Sequence, residues 1–231
     1  MKFDQYEIKA RIIPAIITTM LPLYLFNYFL VHQELQKLFI ALSEWKVISG
    51  ITTYLILLYL VVEINRTLSK FLLEKFYFNG KKKLPTTVLL LFSNSEFSDS
   101  FKERIREKIV KDFNVRLLGK GEEKESKETA RKLISEGVAH IREKMRGDSF
   151  IKQANIRYGF FRNLIGGCII GLLLSVTNIG YIILSSEINW GLMVHIVLSA
   201  IYLLLLIASK WLIEAHGKSY ARTLLENYDC G

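Results

Sequence analysis

The chain has 231 residues, of which 51% are hydrophobic and 23% charged, and its formal net charge is +9. A single soluble domain alternates apolar and polar residues along its elements, whereas here the apolar residues gather in four blocks around a charged middle, which excludes that class. The two cysteines, Cys168 inside an apolar block and Cys230 next to the final residue, exclude a disulfide framework and have no metal-ligand spacing.

Crossing roughly 30 Å of hydrocarbon takes about 20 helical residues. Residues 12–31 meet that length without a charged side chain. The charge of residues 1–11, and the lack of a small-residue cleavage pattern after the run, predict a retained helix and not a removed signal. Pro14 and Pro22 each remove a backbone donor and predict a bent span. The second span covers 47–64, charged only at Glu63. The third covers 164–184, and the fourth covers 190–209, uncharged apart from His195, which can titrate. Trp45, Trp190 and Trp211 flank these runs, where interfacial aromatics gather. Four such blocks leave too little amphipathic chain to cover them with protein, so hydrocarbon is their expected solvent.

Between the second and third spans lies a segment with a large excess of Lys and Arg over Asp and Glu. The loop at 32–46 is charge-balanced, and the turn at 185–189 holds only Glu187. Basic residues beside span ends stay in the cytoplasm. The predicted topology is therefore two hairpins, with both termini and the basic middle inside.

The second span is predicted to continue as a helix through 65–78, stopping at Gly80, with Lys81, Lys82, Lys83 and Pro85 marking a boundary. Residues 86–92 form a short apolar run with β-branched members, which predicts a buried strand. A helix over about 100–113 follows, capped by Ser98 or Asp99, with Phe101, Ile105, Ile109 and Phe113 as its apolar stripe and Asn114 as its end. Residues 115–118 are a second predicted strand, Gly119 to Gly121 a turn, and 122–145 one long helix with acidic residues leading and basic ones trailing. A last helix starts near Ser149 and runs into span three. The expected class is a mainly α membrane protein whose two hairpins enclose a small cytoplasmic α/β insert. The expected divisions are 1–78, the basic domain 79–148, and 149–231. An insert of about 65 residues is marginal for an independent core, so packing on the hairpins or on further copies is expected.

Candidate residues follow from charge and position. Glu63, Asn178 and His195 are polar groups at membrane depth and candidates to line a pore or gate. The competing reading is cross-helix bonding for Asn178 and His195, and a pair with Arg66 for Glu63. Gly167 and Gly171 form a G-x-x-x-G, a spacing that lets helices approach closely. Lys81, Lys82, Lys83, Asn155, Arg157 and Arg162 flank the basic segment and suit an anionic ligand, since a polyphosphate needs several convergent cations. Tyr158 and Phe161 would stack bases or anchor at the interface. No Cys/His cluster, P-loop, dinucleotide fingerprint or nucleophile elbow appears, and the lone helical His140 makes no catalytic set, so no enzyme, metal or cofactor is expected.

The stretch Asn155-Ile-Arg-Tyr-Gly-Phe-Phe-Arg-Asn-Leu-Ile-Gly-Gly167, Asn65-Arg66, the Pro85-Thr86-Thr87 entry and the two hairpins together resemble a family: the four-helix membrane effectors of bacterial anti-phage systems. The Hailong membrane effector is the nearer type and the SMODS-associated four-transmembrane effectors the looser one. The resemblance implies a homo-oligomeric ion channel of the bacterial inner membrane, with tetramer as the working copy number. It implies gating by a nucleotide or short single-stranded DNA that a partner nucleotidyltransferase supplies, and depolarisation on opening. A non-conducting scaffold or sensor that holds a cytoplasmic partner at the bilayer is the alternative.

Overall fold

The computed structural model describes residues 4–26, 47–72, 84–185 and 190–231, and among them every regular element is helical. In chain order these are α1 (Gln5–Leu25), α2 (Val47–Leu72), α3 (Pro85–Val88), α4 (Asp99–Phe113), α5 (Lys120–Glu125), α6 (Lys127–Lys144), α7 (Ser149–Leu184), α8 (Trp190–Ile207) and α9 (Ser209–Cys230). Three of them, α1, α7 and α8, are long and apolar enough to cross a membrane. The second expected span falls within the 26-residue α2. Residues 27–31 of the first, and the proposed extension 73–78, lie outside the described residues.

The chain divides into two compact units. Residues Met1–Phe71 and Gly159–Ser209 make an apolar unit, and Leu72–Tyr158 with Lys210–Gly231 make a basic unit.

In the apolar unit, α1 departs from α-helical geometry where its prolines demand it. A π-helical stretch, Ile8–Ile12, ends just before Pro14, and a second, Ile16–Met20, ends just before Pro22. Proline has no N–H to give the carbonyl four or five residues back, and its ring crowds that carbonyl, so the turn widens. The relieved carbonyls take donors from other helices. Ala10 O, four residues before Pro14, accepts from Asn163 Nδ2 of α7, and Ile17 O, five before Pro22, accepts from the Tyr202 hydroxyl of α8 at 2.8 Å. Proline placement in sequence is thereby converted into specific helix–helix bonds.

The basic unit overturns the predicted α/β insert. Pro85 occupies the first turn of α3, where its missing N–H costs nothing, and the chain then runs through turns and not a strand. Leu89, Leu90 and Leu91 are buried in succession because α4, α6 and α9 surround them. A continuous apolar run reads the same for a strand and for a segment enclosed by helices, and the Thr-Thr-Val start biased the expectation towards a strand. Backbone groups here find side-chain partners in place of a sheet: Glu123 accepts from Phe92 N at 2.7 Å, and Arg106 donates to Leu90 O at 2.8 Å. The second expected strand, 115–118, is likewise irregular chain, whose Leu118 O accepts from Arg106.

Elsewhere local chemistry sets the ends. Ser98 Oγ accepts from Phe101 N to cap α4, and Asn114, left-handed at φ 54°, ends it. The long helix expected over 122–145 is two helices, because Ser126 leaves helical geometry at φ −129°, ψ 61°. Gly119 opens α5, where the Glu122 carboxylate accepts its N–H at 2.9 Å. The core is then closed from a distant part of the chain: Ala221, Leu224, Leu225 and Tyr228 of α9 pack among Ile105, Ile109, Ile134 and Ile141.

Candidate functional site

The apolar unit carries polar groups inside and greasy ones outside. Leu184, Trp190, Ile207, Leu173 and Leu204 are exposed, while Thr18, Asn65, Ser69, Asn163, Ser175, Asn178 and His195 are buried. Gly167 brings α7 against Thr18 and Asn65, Gly166 brings it against Ser69, and Gly171 faces Thr18 O and the Tyr202 ring. At Gly166 a Cβ would fall 2.6 Å from Ser69 Cα, so only glycine permits this approach. Ser69 and Thr18 turn their hydroxyls back onto Asn65 O and Pro14 O, at 2.6 and 2.8 Å.

Asn178 and His195, both predicted, are brought together. Asn178 Nδ2 lies 3.3 Å from Pro22 O and 3.4 Å from His195 Nε2. A carbonyl only accepts, so the amide nitrogen is the atom facing it. That same nitrogen then donates to Nε2, and the imidazole proton resides on Nδ1. Nδ1 is buried without a hydrogen-bond partner, as are Asn163 Oδ1, Asn65 Nδ2, Thr19 Oγ1 and Ser175 Oγ. Each such atom costs about 1–3 kcal/mol if it stays dry. Glu63 does not join this group by any described bond. It pairs with Arg66 at 3.4 Å, one turn on along α2.

In the basic unit several cations are paired with carboxylates. Glu96 takes Lys218 at 2.6 Å and Arg222 at 3.5 Å, Asp99 takes Lys120 at 2.7 Å and Lys102 at 3.1 Å, and Asp112 takes Lys144 at 2.7 Å. The lysine partners hold all three carboxyls below the ordinary carboxylate range. Arg106 and Glu123 form a buried pair at 3.0 Å, with the guanidinium 4.3 Å from the Phe92 ring. Burial draws Arg106 down from its ordinary range, and Glu123 opposes that shift.

Among the described residues, Arg131, Arg142 and Arg157 of the basic unit have no such pair, and Arg131 Nε, like Arg142 Nε, is buried with no hydrogen-bond partner. Arg142 has no carboxylate partner among the described residues. Its Nη2 donates to the buried Thr86 Oγ1 at 2.9 Å, its guanidinium lies 6.0 Å from the Tyr220 ring, and its Nε is buried with no hydrogen-bond partner. Arg157 is exposed, also without a described carboxylate, and lies close enough to His216 to disfavour its protonation. Partial burial is the larger cause of the depressed His216 pKa. Tyr158 and Tyr220 stack at 6.1 Å and 9°, and Gly217 admits Pro85 and Tyr158 to the same place: a Cβ there would meet them at 3.1 and 3.4 Å.

Of the residues expected to bind a ligand, Asn155, half-buried, and Arg157 belong to the basic unit, whereas Arg162 belongs to the apolar unit. Lys81, Lys82 and Lys83 lie outside the described residues. Sequence reasoning missed Arg142, Thr86, His216 and Tyr220. The signal available was the spacing of His216, Tyr220 and Leu224 on one helix face, which marks α9 as a packed element and not a tail. No family model, curated protein or solved structure matches the chain.

Proposed function

We propose that the chain is a non-catalytic, multi-pass membrane channel of the bacterial inner membrane. In this reading four helices cross the bilayer, both termini and the basic unit are cytoplasmic, and copies assemble into a homo-oligomer, taken as a tetramer. A nucleotide or short single-stranded DNA from a partner nucleotidyltransferase binds the basic unit and gates the pore, whose opening depolarises the membrane. This is the role of the anti-phage effectors that the hairpin architecture resembles.

The observation that carries the reading is the reversed polarity of the apolar unit. Polar side chains with unpartnered buried atoms sit inside a helical unit whose outside is apolar. In hydrocarbon those atoms are costly unless water or ions reach them, and polar groups at that depth either bond across helices or line a transport path. The Asn178–His195 pair is the proposed polar lining of that path, with Glu63 and Arg66 near one end of α2. The exposed Arg157 and the uncompensated Arg142 provide for an anionic signal.

The test is potassium flux from liposomes containing the purified full chain. Wild type conducts, and Asn178→Leu, which removes the donor to both His195 and Pro22 O, lowers flux at least about tenfold. Absence of flux from the wild type, with and without nucleotide or single-stranded DNA, refutes the channel. It leaves a non-conducting scaffold that holds a partner at the membrane.

A further inference from the structure

Arg142 is half-buried and has no carboxylate partner among the described residues, an arrangement that leaves its charge costly to enclose. Arg142 donates to a neutral hydroxyl, Thr86 Oγ1, and faces the Tyr220 ring. Its Nε stays buried and unpartnered. Among the described residues its partners are neutral and leave the guanidinium charge uncompensated, and the planar fork of donors matches the paired oxygens of a carboxylate or a phosphate. Within the same unit, Tyr220 is stacked in near-parallel fashion on Tyr158. Gly217, one turn before Tyr220 on α9, lets Pro85 and Tyr158 pack close to that helix. Arg157, next in sequence to Tyr158, adds a second cation beside His216.

A cation alone would mark any anion. A cation beside parallel aromatic rings marks an anion that carries a flat π-system, because stacking rewards only the second part. We propose that Arg142, Tyr158 and Tyr220 form a binding site in the basic unit for a phosphate ester bearing an aromatic base, with Arg142, held in place by the buried Thr86 hydroxyl, taking the phosphate and the tyrosines the base. The proposal rests on the ligand-gated reading above and assigns its site. It places the recognition chemistry on α3, α6 and α9 as well as on α7.

The experiment uses the full chain in detergent and a fluorescein-labelled short single-stranded DNA of mixed sequence, read by anisotropy, with ATP and inorganic phosphate as competitors. Arg142→Gln weakens binding about tenfold or more, the effect of losing a charge-assisted contact. Tyr220→Leu weakens it about fivefold or more, whereas Tyr220→Phe, which keeps the ring, binds as wild type. Arg146→Gln, at an exposed arginine paired with Glu143, leaves binding unchanged. Should Arg142→Gln fail to fold, Arg142→Lys keeps the charge, loses the fork and still weakens binding. Unchanged affinity in the Arg142 variants overturns this site and leaves the ligand-gated reading standing. Competition by inorganic phosphate as strong as by ATP overturns the base-binding assignment. A wild-type chain that binds neither DNA nor ATP overturns both the site and the gating ligand.

Discussion

Replacing Glu123 with alanine tests whether side chains do the work of a sheet in the basic unit. Glu123 is 3% exposed, and one carboxylate oxygen accepts from Phe92 N at 2.7 Å and Ser93 N at 3.4 Å while the other takes Arg106 at 3.0 Å. Without it, Arg106, only 5% exposed, keeps two carbonyl acceptors but no counter-charge, and the Phe92 amide loses its acceptor. Breaking a buried pair from one side costs about 3–5 kcal/mol, a large part of the roughly 5–15 kcal/mol that holds a domain. Glu123→Gln keeps an acceptor for Phe92 N and is expected to cost less, about 1–3 kcal/mol. Hydrogen exchange followed by mass spectrometry reads the opening of 89–93 in the detergent-solubilised full chain. The alanine variant should exchange there roughly a hundredfold to a few thousandfold faster, and the glutamine variant by a smaller factor. An alanine variant within about fivefold of wild type would refute the argument, because the segment would then be held by its leucines alone.

Two further expectations concern other parts of the chain. Gly166→Leu forces α2 and α7 apart at Ser69, where even a methyl group finds backbone 2.6 Å away, so detergent-extracted protein should lose about 1–3 kcal/mol or more and melt earlier; an unchanged melting curve would show that the two helices do not meet there. Stability of the basic unit should also fall in two steps on acidification. Glu96, Asp99 and Asp112 have depressed folded pKa values, so their contribution is present above the ordinary carboxylate range and lost as pH drops through about 4 and below. His216, also depressed, binds protons more readily when unfolded, so stability declines as pH falls below about 6.5. A His216→Asn variant that still shows the upper step in an urea titration would assign that step to another group.

How far the sequence disclosed this arrangement depended on whether the signal was local. Ser98 and Asn114 marked the ends of α4 because capping is decided within four residues of the end. The apolar blocks announced α7 and α8 by length alone. Leu89–Leu91 misled, since burial on every side comes from α4, α6 and α9, and no property of three leucines says what encloses them. The prolines of α1 predicted disturbed geometry correctly in kind, but which donors would reach Ala10 O and Ile17 O depended on Asn163 and Tyr202, more than 150 residues away. The Asn178–His195 contact was open to sequence reasoning as two candidates, never as a pair. Arg142 stayed hidden for a related reason: a lone arginine on a charged helix looks solvated until its neighbours are found to lack carboxylates.

The closure of the basic core by α9 bears on how the protein is made. Bonds such as Arg104 to Asp229 and Lys108 to Tyr228 O join positions 125 and 120 residues apart, and the intervening chain includes both α7 and α8. During synthesis the leucine run and the apolar stripe of α4 must therefore wait, unsealed, while two greasy helices find their place. Chaperones and proteases would meet that face before α9 is made, so the last helix of the chain is also the one that seals its most exposed core.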